Sequence, residues 1–366
     1  MRLRVAVLFG GRSAEHEISC LSARSVIGAL DPERYEIVPV GITKEGGWYL
    51  LSEGPPEARD GDAVLPAVSP QAGTEVALDQ RPGSRALVTA GGERVPIDVV
   101  FPVLHGPFGE DGTIQGFLEM VDVPYVGSGV LASAVGMDKV VQKTLFAAAG
   151  LPVVEHRVVH ERAWRRDPRA VAAEAAELGF PLFAKPAALG SSVGVTKVRG
   201  PEGLGAAIEE ALRYGRTALL ERAVERAREI ECAVLGNDEP EASVPGEIVP
   251  RGHEFYSYEA KYLDAGGSEL LVPAPLDEPT ERQIRRLSVE AFRAVQAAGM
   301  ARVDFLLGAD GALFVNEINT IPGFTQISMY PKLWQASGVP YPRLVDRLVE
   351  LALERHEAER RRATTR

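Results

Sequence analysis

Hydrophobic and polar positions divide this chain into short apolar runs that end in glycine and longer stretches with helical spacing. Residues 3–9 are a continuous apolar run stopping at Gly10-Gly11, and Ile18, Leu21 and Val26 follow at helical spacing. This predicts a strand, a glycine turn and a helix that starts near Ser13 with Glu15 in its first turn. Such an opening belongs to an α/β domain, whose ligands sit beyond the strand's carboxyl end. The glycines lack G-x-G-x-x-G spacing, which argues against a dinucleotide fold. Further strands are expected near Tyr35–Val40 and Val99–Leu104. Residues 53–96, rich in Pro and Gly with weak strands near Val76–Leu78 and Ala86–Thr89, read as an insertion on the domain surface.

Past residue 128 the spacing changes. Met137-Asp138-Lys139 leads a helix punctuated by Gly150 and Pro152, and a second helix runs from Asp167-Pro168 to Gly179. Strand 181–186 carries Lys185 among apolar residues, where a lysine persists only with a partner. The loop Leu189-Gly190-Ser191-Ser192-Val193-Gly194-Val195 is either a plain hairpin loop or an anion nest; it lacks P-loop spacing. A helix (202–214), a strand ending at Glu221 and an alternating strand over 228–236 follow. Residues 255–262 hold three tyrosines and a lysine outside any helix, as lid loops do. A long helix over 278–298 leads to two apolar runs joined at Ala309-Asp310-Gly311. With Asp310-Gly311 as a two-residue turn, Asp304 faces Glu317 and Arg302 faces Asn319, while Val303, Phe305 and Phe314 point the other way. One sheet face then carries two carboxylates, an amide oxygen and a guanidinium. On a generic hairpin that is a solvated, salt-bridged face; it is also the donor set Mg²⁺ prefers. A turn over Pro322–Ser328, a final helix (342–355) and a frayed charged tail from Glu357 complete the chain.

Composition narrows the class. With 366 residues, 45% hydrophobic and 25% charged, the chain has material for two or three soluble domains. A net charge of −11 argues against nucleic-acid binding, which needs basic surface. Cys20 and Cys232 are the two cysteines, so a reducing compartment is expected rather than a disulfide framework. No apolar run has membrane-spanning length and the first residues lack a signal-peptide core, so a cytoplasmic protein is expected with no membrane partner.

Taken singly, Glu15 reads as an acid at a helix start, His105 as a structural histidine, and Glu221 and Glu229 as exposed acids. Together with the lysine strand, the Gly-Ser loop and the acidic hairpin they form an ordered set. The motifs are GGRSAEHEIS (10–19), LHGPFGEDG (104–112), MDK (137–139), GSSVG (190–194), YEAKY (258–262) and EINTIPGFTQIS (317–328). In this order they resemble the D-alanine–D-alanine ligases of the ATP-grasp superfamily, over nearly the whole chain. The resemblance implies an N-terminal parallel-sheet α/β domain (1–127) and two α+β subdomains (128–225 and 226–366) that clamp ATP.

It also implies roles. Lys139 and Lys185 would contact ATP phosphates under the Ser191-Ser192 loop. Glu221 would lie at the adenine end, Glu229 on the ribose, and Lys261 and Asn316 would add ATP contacts. Asp304, Glu317 and Asn319 would hold a pair of Mg²⁺ ions, with Mn²⁺ as a substitute. Glu15 would meet the first D-alanine's ammonium, in a hydrogen-bonded triad with Ser191 and Tyr262. Lys261, Ser328 and His105 would surround the second D-alanine, and Arg302 with the Gly323 N–H would form an oxyanion hole. The implied reaction passes through D-alanyl phosphate, supplies a peptidoglycan precursor and is carried out by a homodimer. Ala188, where many members carry Asn, departs from the pattern. Alternatives are a D-alanine–D-lactate ligase, against which Glu259-Ala260-Lys261-Tyr262 argues, and a catalytically silent nucleotide sensor. The sensor is disfavoured because Lys185, Arg302, Asp304, Glu317 and Asn319 are all present. A Rossmann dehydrogenase is disfavoured by the missing fingerprint.

Overall fold

The computed structural model describes residues 2–56, 66–190, 193–250 and 268–362. The first third of the chain builds one sheet from β1 (Leu3–Gly10), β2 (Tyr35–Ile42), β3 (Trp48–Leu50), β4 (Thr74–Leu78), β5 (Ala86–Thr89), β6 (Arg94–Pro96) and β7 (Val99–Pro102), with α1 (His16–Ala29) after β1. The strand order is β6-β5-β4-β3-β2-β1-β7, and β1 pairs in parallel with β2 and β7. Central β1 is buried from Val5 to Gly10, as a strand covered on both faces requires. Residues 74–96 are not a surface appendage, contrary to the sequence expectation. Their strands extend the central sheet, and Val76, Leu78 and Leu87 share a core with Ala6, Leu8 and Val40. The period-two alternation of Val76 and Leu78 supplies that buried face.

Helix α1 begins at His16 rather than Ser13. The Ser13 hydroxyl accepts the Glu15 N–H at 3.0 Å, a local turn that competes with helix, so Glu15 occupies the cap position. The His16 ring fixes that entry: Nδ1 contacts the Gly11 carbonyl at 2.8 Å and Nε2 accepts the Val68 N–H at 3.0 Å.

Two helices absent from the sequence reading, α2 (Thr113–Met120) and α3 (Val130–Met137), lead to α4 (Lys139–Ala148). Asp138 caps α4 by accepting the N–H groups of Val140 and Val141 at 2.9 and 3.1 Å. Next come β8 (His156–His160), α5 (Glu161–Arg166), α6 (Pro168–Ala176), β9 (Leu182–Pro186), β10 (Thr196–Val198), α7 (Pro201–Leu212) and β11 (Thr217–Arg222). Their antiparallel sheet has the order β10-β9-β11-β8. Leu182, Ala184, Ala218 and Leu220 pack beneath α7, so alternation turns Lys185 and Glu221 to the opposite face.

The last sheet contains β12 (Arg228–Gly236), β13 (Glu241–Ala242), β14 (Gly246–Pro250), β15 (Ser268–Leu271), β16 (Gly299–Leu307) and β17 (Leu313–Asn319). Helix α8 (Glu278–Ala294) lays Ile284, Leu287, Ala291 and Phe292 on Val303, Phe305, Val315 and Ile318. Helices α9 (Met329–Ala336) and α10 (Tyr341–Arg360) finish the fold. The expected frayed tail is shorter than anticipated, because α10 continues to Arg360. Along it Arg343 pairs with Glu350, Arg347 with Glu354 and Arg361 with Glu357. Among the described residues no helix is long and apolar enough to cross a membrane.

The β16–β17 hairpin reaches its expected register by an unexpected route. Leu307 pairs with Leu313, and Gly308 N–H donates to the Ala312 carbonyl, so the turn is Ala309-Asp310-Gly311, three residues and not two. That shift alone would flip one strand. A bulge at Asn316 restores the faces: Phe305 still pairs with Val315, whereas Asp304 faces Glu317 and Arg302 faces Asn319. Phe314, opposite Leu306, therefore does not share the core face of Val303 and Phe305; Val315 takes that place.

Two glycines at positive φ test this backbone. Gly311 (φ +83°) has open space around it, so Gly311→Ala should cost only about 1 kcal/mol. At Gly10 (φ +86°) an added Cβ would lie 2.4 Å from the Ile42 carbonyl oxygen, so Gly10→Ala should cost about 3 kcal/mol or more. Urea unfolding measures both, and equal losses would contradict the packing at the end of β1.

Candidate active site

The inner faces of the second and third sheets enclose a cleft of about 240 Å³ whose walls include Lys139, Lys185, Gly190, Glu221, Glu229 and Glu317. Its cations and acids come from different elements. Lys185 on β9 pairs with Glu221 on β11, the partner its strand position called for. The other Glu221 oxygen lies 2.6 Å from the Lys143 ammonium, which is fully buried on α4. Burial alone would raise the Glu221 pKa; Lys185 and Lys143 outweigh it and bring the group to about 2. Burial pushes Lys143 down, against the pull of Glu221. Burial also opposes the charge on Lys185, but Glu221 and then Glu317 hold its pKa above the ordinary value.

Helix α4 also reaches the hairpin. Lys139, in its first turn, places Nζ 3.2 Å from Glu317 Oε2 and 2.9 Å from the Leu189 carbonyl. Gln142 Oε1 accepts the Ile318 N–H at 2.9 Å, and Lys143 Nζ donates to the Asn316 carbonyl at 2.9 Å. Strand β17 is a sheet edge, and these side chains satisfy backbone groups that no further strand pairs.

On β16, Arg302 grips Asp304 with Nε and Nη2, both at 2.7 Å, and Asn319 Nδ2 donates to Asp304 at 3.0 Å. Glu231, opposite Asp304 on β12, lies 3.1 Å from Arg302 Nε. Burial disfavours the guanidinium charge, yet Asp304 and Glu231 hold its pKa well above the ordinary value. Asp304, Glu317 and Asn319 thus share one face. Among the described residues no group of three or more His, Cys, Asp or Glu side chains is placed to hold a metal ion by itself. Two carboxylates and an amide oxygen fit Mg²⁺ nonetheless, because that ion completes its shell with water and substrate phosphates.

The N-terminal sheet closes the far end. His105, buried after β7, contacts the Ile321 carbonyl through Nδ1 at 3.2 Å and Ser22 Oγ through Nε2 at 3.1 Å. Burial opposes its protonation, but Glu110 and Glu15 raise its pKa. The Glu15 carboxylate sits between two glycine loops: a Cβ on Gly106 would lie 3.0 Å from Oε2, and one on Gly190 3.9 Å. Past the hairpin, a Cβ on Gly323 would meet Ser328 Oγ at 3.3 Å, and that hydroxyl accepts the Thr325 N–H at 3.1 Å.

The chain matches the family model described as D-ala D-ala ligase N-terminus over residues 4–128, and the D-ala D-ala ligase C-terminus model over 145–350. It belongs to the D-alanine–D-alanine ligase family. The D-alanine–D-alanine ligase of Thermoanaerobacter sp. (strain X514) is 51% identical, covering 96% of this chain and 97% of the relative. That of Streptomyces griseus is 52% identical over 96% and 93%. Among solved structures, the D-alanine–D-alanine ligase from Coxiella burnetii superposes with a TM-score of 0.85 at 38% identity, covering 98% and 96%. The VanG D-Ala:D-Ser ligase of Enterococcus faecalis gives 0.83 at 32%, covering 96% and 100%. The fold is accordingly ATP-grasp.

Of the expected site residues, Lys139, Lys185, Glu221, Glu229, Asn316 and Glu317 line the cleft, and Arg302, Asp304 and Asn319 form one bonded group on the adjoining hairpin face. At the N-terminal end Glu15 acts on His105 through its charge, and His105 contacts the carbonyl of Ile321, two residues before Gly323. Ser191, Ser192, Lys261 and Tyr262 lie outside the described residues. Sequence reading missed Lys143 and Glu231. The available signals were a lysine one helical turn past Lys139, and a second acid two residues past Glu229 on the same strand face.

The depressed Glu221 pKa carries a sign. A carboxyl held at about 2 against an ordinary 4.5 adds stability above pH 4.5 and loses it as pH falls toward 2. Over that window the unfolding free energy of the wild type should fall more steeply than that of Glu221→Gln in urea titrations. Parallel slopes would contradict the buried pairing.

Proposed function

We propose that this chain joins two D-alanines into D-alanyl-D-alanine at the expense of ATP, for use as a peptidoglycan precursor. The observation that carries this reading is the meeting of phosphate-type cations with metal-type acids across one cleft. Lys139 and Lys185 face Glu317, with Lys139 Nζ 3.2 Å from its carboxylate, and Asp304 and Asn319 share that carboxylate's sheet face.

A carboxylate resists an amine because its oxygen is a poor leaving group. Transfer of the γ-phosphoryl group to the first D-alanine makes that oxygen part of a phosphate, and this step is mostly positioning and charge neutralisation. Lys139 and Lys185 hold the phosphates beneath the Gly190 loop, with Ser191 and Ser192. Glu221 lies toward the adenine, Glu229 takes the ribose hydroxyls, and Lys261 and Asn316 add ATP contacts. Asp304, Glu317 and Asn319 would hold Mg²⁺, or Mn²⁺ in its place, which would supply Lewis-acid charge to the phosphates. Glu15 binds the first D-alanine's ammonium, in a triad with Ser191 and Tyr262. The second D-alanine, its carboxylate on Lys261 and Ser328 with His105 nearby, attacks the acyl carbon with its free amine. The oxyanion that forms is met by Arg302 and the Gly323 N–H; one such donor is typically worth about 3 kcal/mol. Arg302 donates without acting as an acid, since it keeps its proton. Collapse breaks the acyl–oxygen bond, phosphate leaves, and the amine's proton passes to solvent.

Domain limits at about residues 127 and 225 belong to this reading, and they are supported by the breaks between the three sheets. A homodimer, as the family resemblance implies, is part of the same reading. Burial raises the thiols of Cys20 and Cys232 to about 12 and 11, so both are inert, in keeping with a cytoplasmic enzyme.

Coupled detection of ADP tests the reading directly. D-alanine should drive ADP release and dipeptide formation, L-alanine should not, and adding D-lactate or D-serine to D-alanine should yield little mixed product. ADP release indifferent to D-alanine, or a predominant ester product, would contradict it.

A further inference from the structure

Lys143 is fully buried, has no part in the chemistry described above, and touches two elements at once. On one side lies the Glu221 carboxylate at 2.6 Å; on the other is the carbonyl of Asn316, the bulged residue of β17, at 2.9 Å. Both are acceptors, as an ammonium requires. Glu221 also holds Lys185, so the three side chains form a row of cation, anion and cation. A lone Lys185–Glu221 pair would be neutral: the carboxylate would consume the lysine's charge and draw it away from the cleft. With Lys143 neutralising the same carboxylate, the row keeps one net positive charge at its cleft end.

We infer that Lys143 is a positioning residue that acts through Glu221 to leave the charge of Lys185 available to the nucleotide's phosphates, while its bond to Asn316 fixes the bulge that turns Glu317 to the same cleft. The inference rests on the proposed ATP-dependent ligase activity and goes beyond it by giving a non-contacting residue a phosphate-specific effect. Lysine and methionine are of similar length, so Lys143→Met removes the charge while filling the space.

The discriminating readout compares affinities for ATP and for adenosine, each measured by equilibrium titration of the full chain. Lys143→Met should weaken ATP about tenfold or more while adenosine changes by less than about twofold, because only the phosphates sense the lost charge. Adding Glu221→Gln to Lys143→Met should restore much of the ATP-over-adenosine preference, since the carboxylate that captures Lys185 is gone. Equal weakening of both ligands, or no restoration in the double variant, would overturn the inference and leave Lys143 a packing residue. Should Lys143→Met fail to fold, Glu221→Gln alone decides: its ATP-over-adenosine preference should rise, and an unchanged or lower ratio overturns the inference. A wild-type chain that binds neither ligand would instead overturn the ligase reading and the inference with it.

Discussion

Helix α4 is fastened to the edge strand β17 by Gln142 and Lys143, which bind the Ile318 N–H and the Asn316 carbonyl. An edge strand with a bulge has backbone groups that no neighbouring strand can satisfy. The helix supplies those partners, and in doing so it brings Lys139 to Glu317 and Lys143 to Glu221. These bonds, with Phe146 of the same helix packed in the core of the third sheet, set the spacing between the cleft lysines and the acidic hairpin.

Buried charge explains the arrangement within the cleft. Three of the site acids have a cation within reach: Asp304 has Arg302, Glu317 has Lys139, and Glu221 has two lysines. Leaving any of these groups buried and unpaired would cost several kcal/mol. The pairs keep the acids ionised and the cations pointed inward before substrate arrives. In the proposed reaction a triphosphate with its metal would exchange partners with groups already charged and in place, the preorganisation that phosphoryl transfer needs.

Much of this was legible in the sequence, for local reasons. The lysine on an apolar strand demanded an acid, and Glu221 is that acid. Alternation predicts the pairing of Asp304 with Glu317 even with a two-residue turn, because the bulge at Asn316 offsets the third turn residue; Phe314, on the turn side of the bulge, is not corrected. A bulge is invisible to a period-two pattern because it is chosen by tertiary contacts, here those of α4. Lys143 was missed for a related reason. A lysine one turn after another reads as solvated surface, and only the docking of α4 between two sheets makes that face the inside. Residues 74–96 look like an appendage because Pro, Gly and single charges interrupt the apolar runs, yet short alternating runs suffice to extend the sheet.

The central claim is that the bulged hairpin presents Asp304, Glu317 and Asn319 to the cleft as a metal face. Counting Mn²⁺ ions bound with ATP, by electron paramagnetic resonance of free and bound metal, tests it most directly. The wild type should bind about two Mn²⁺ per chain with ATP, and Glu317→Gln should lose at least one while keeping its helix and strand content. Full Mn²⁺ binding by a folded Glu317→Gln variant would contradict the assignment.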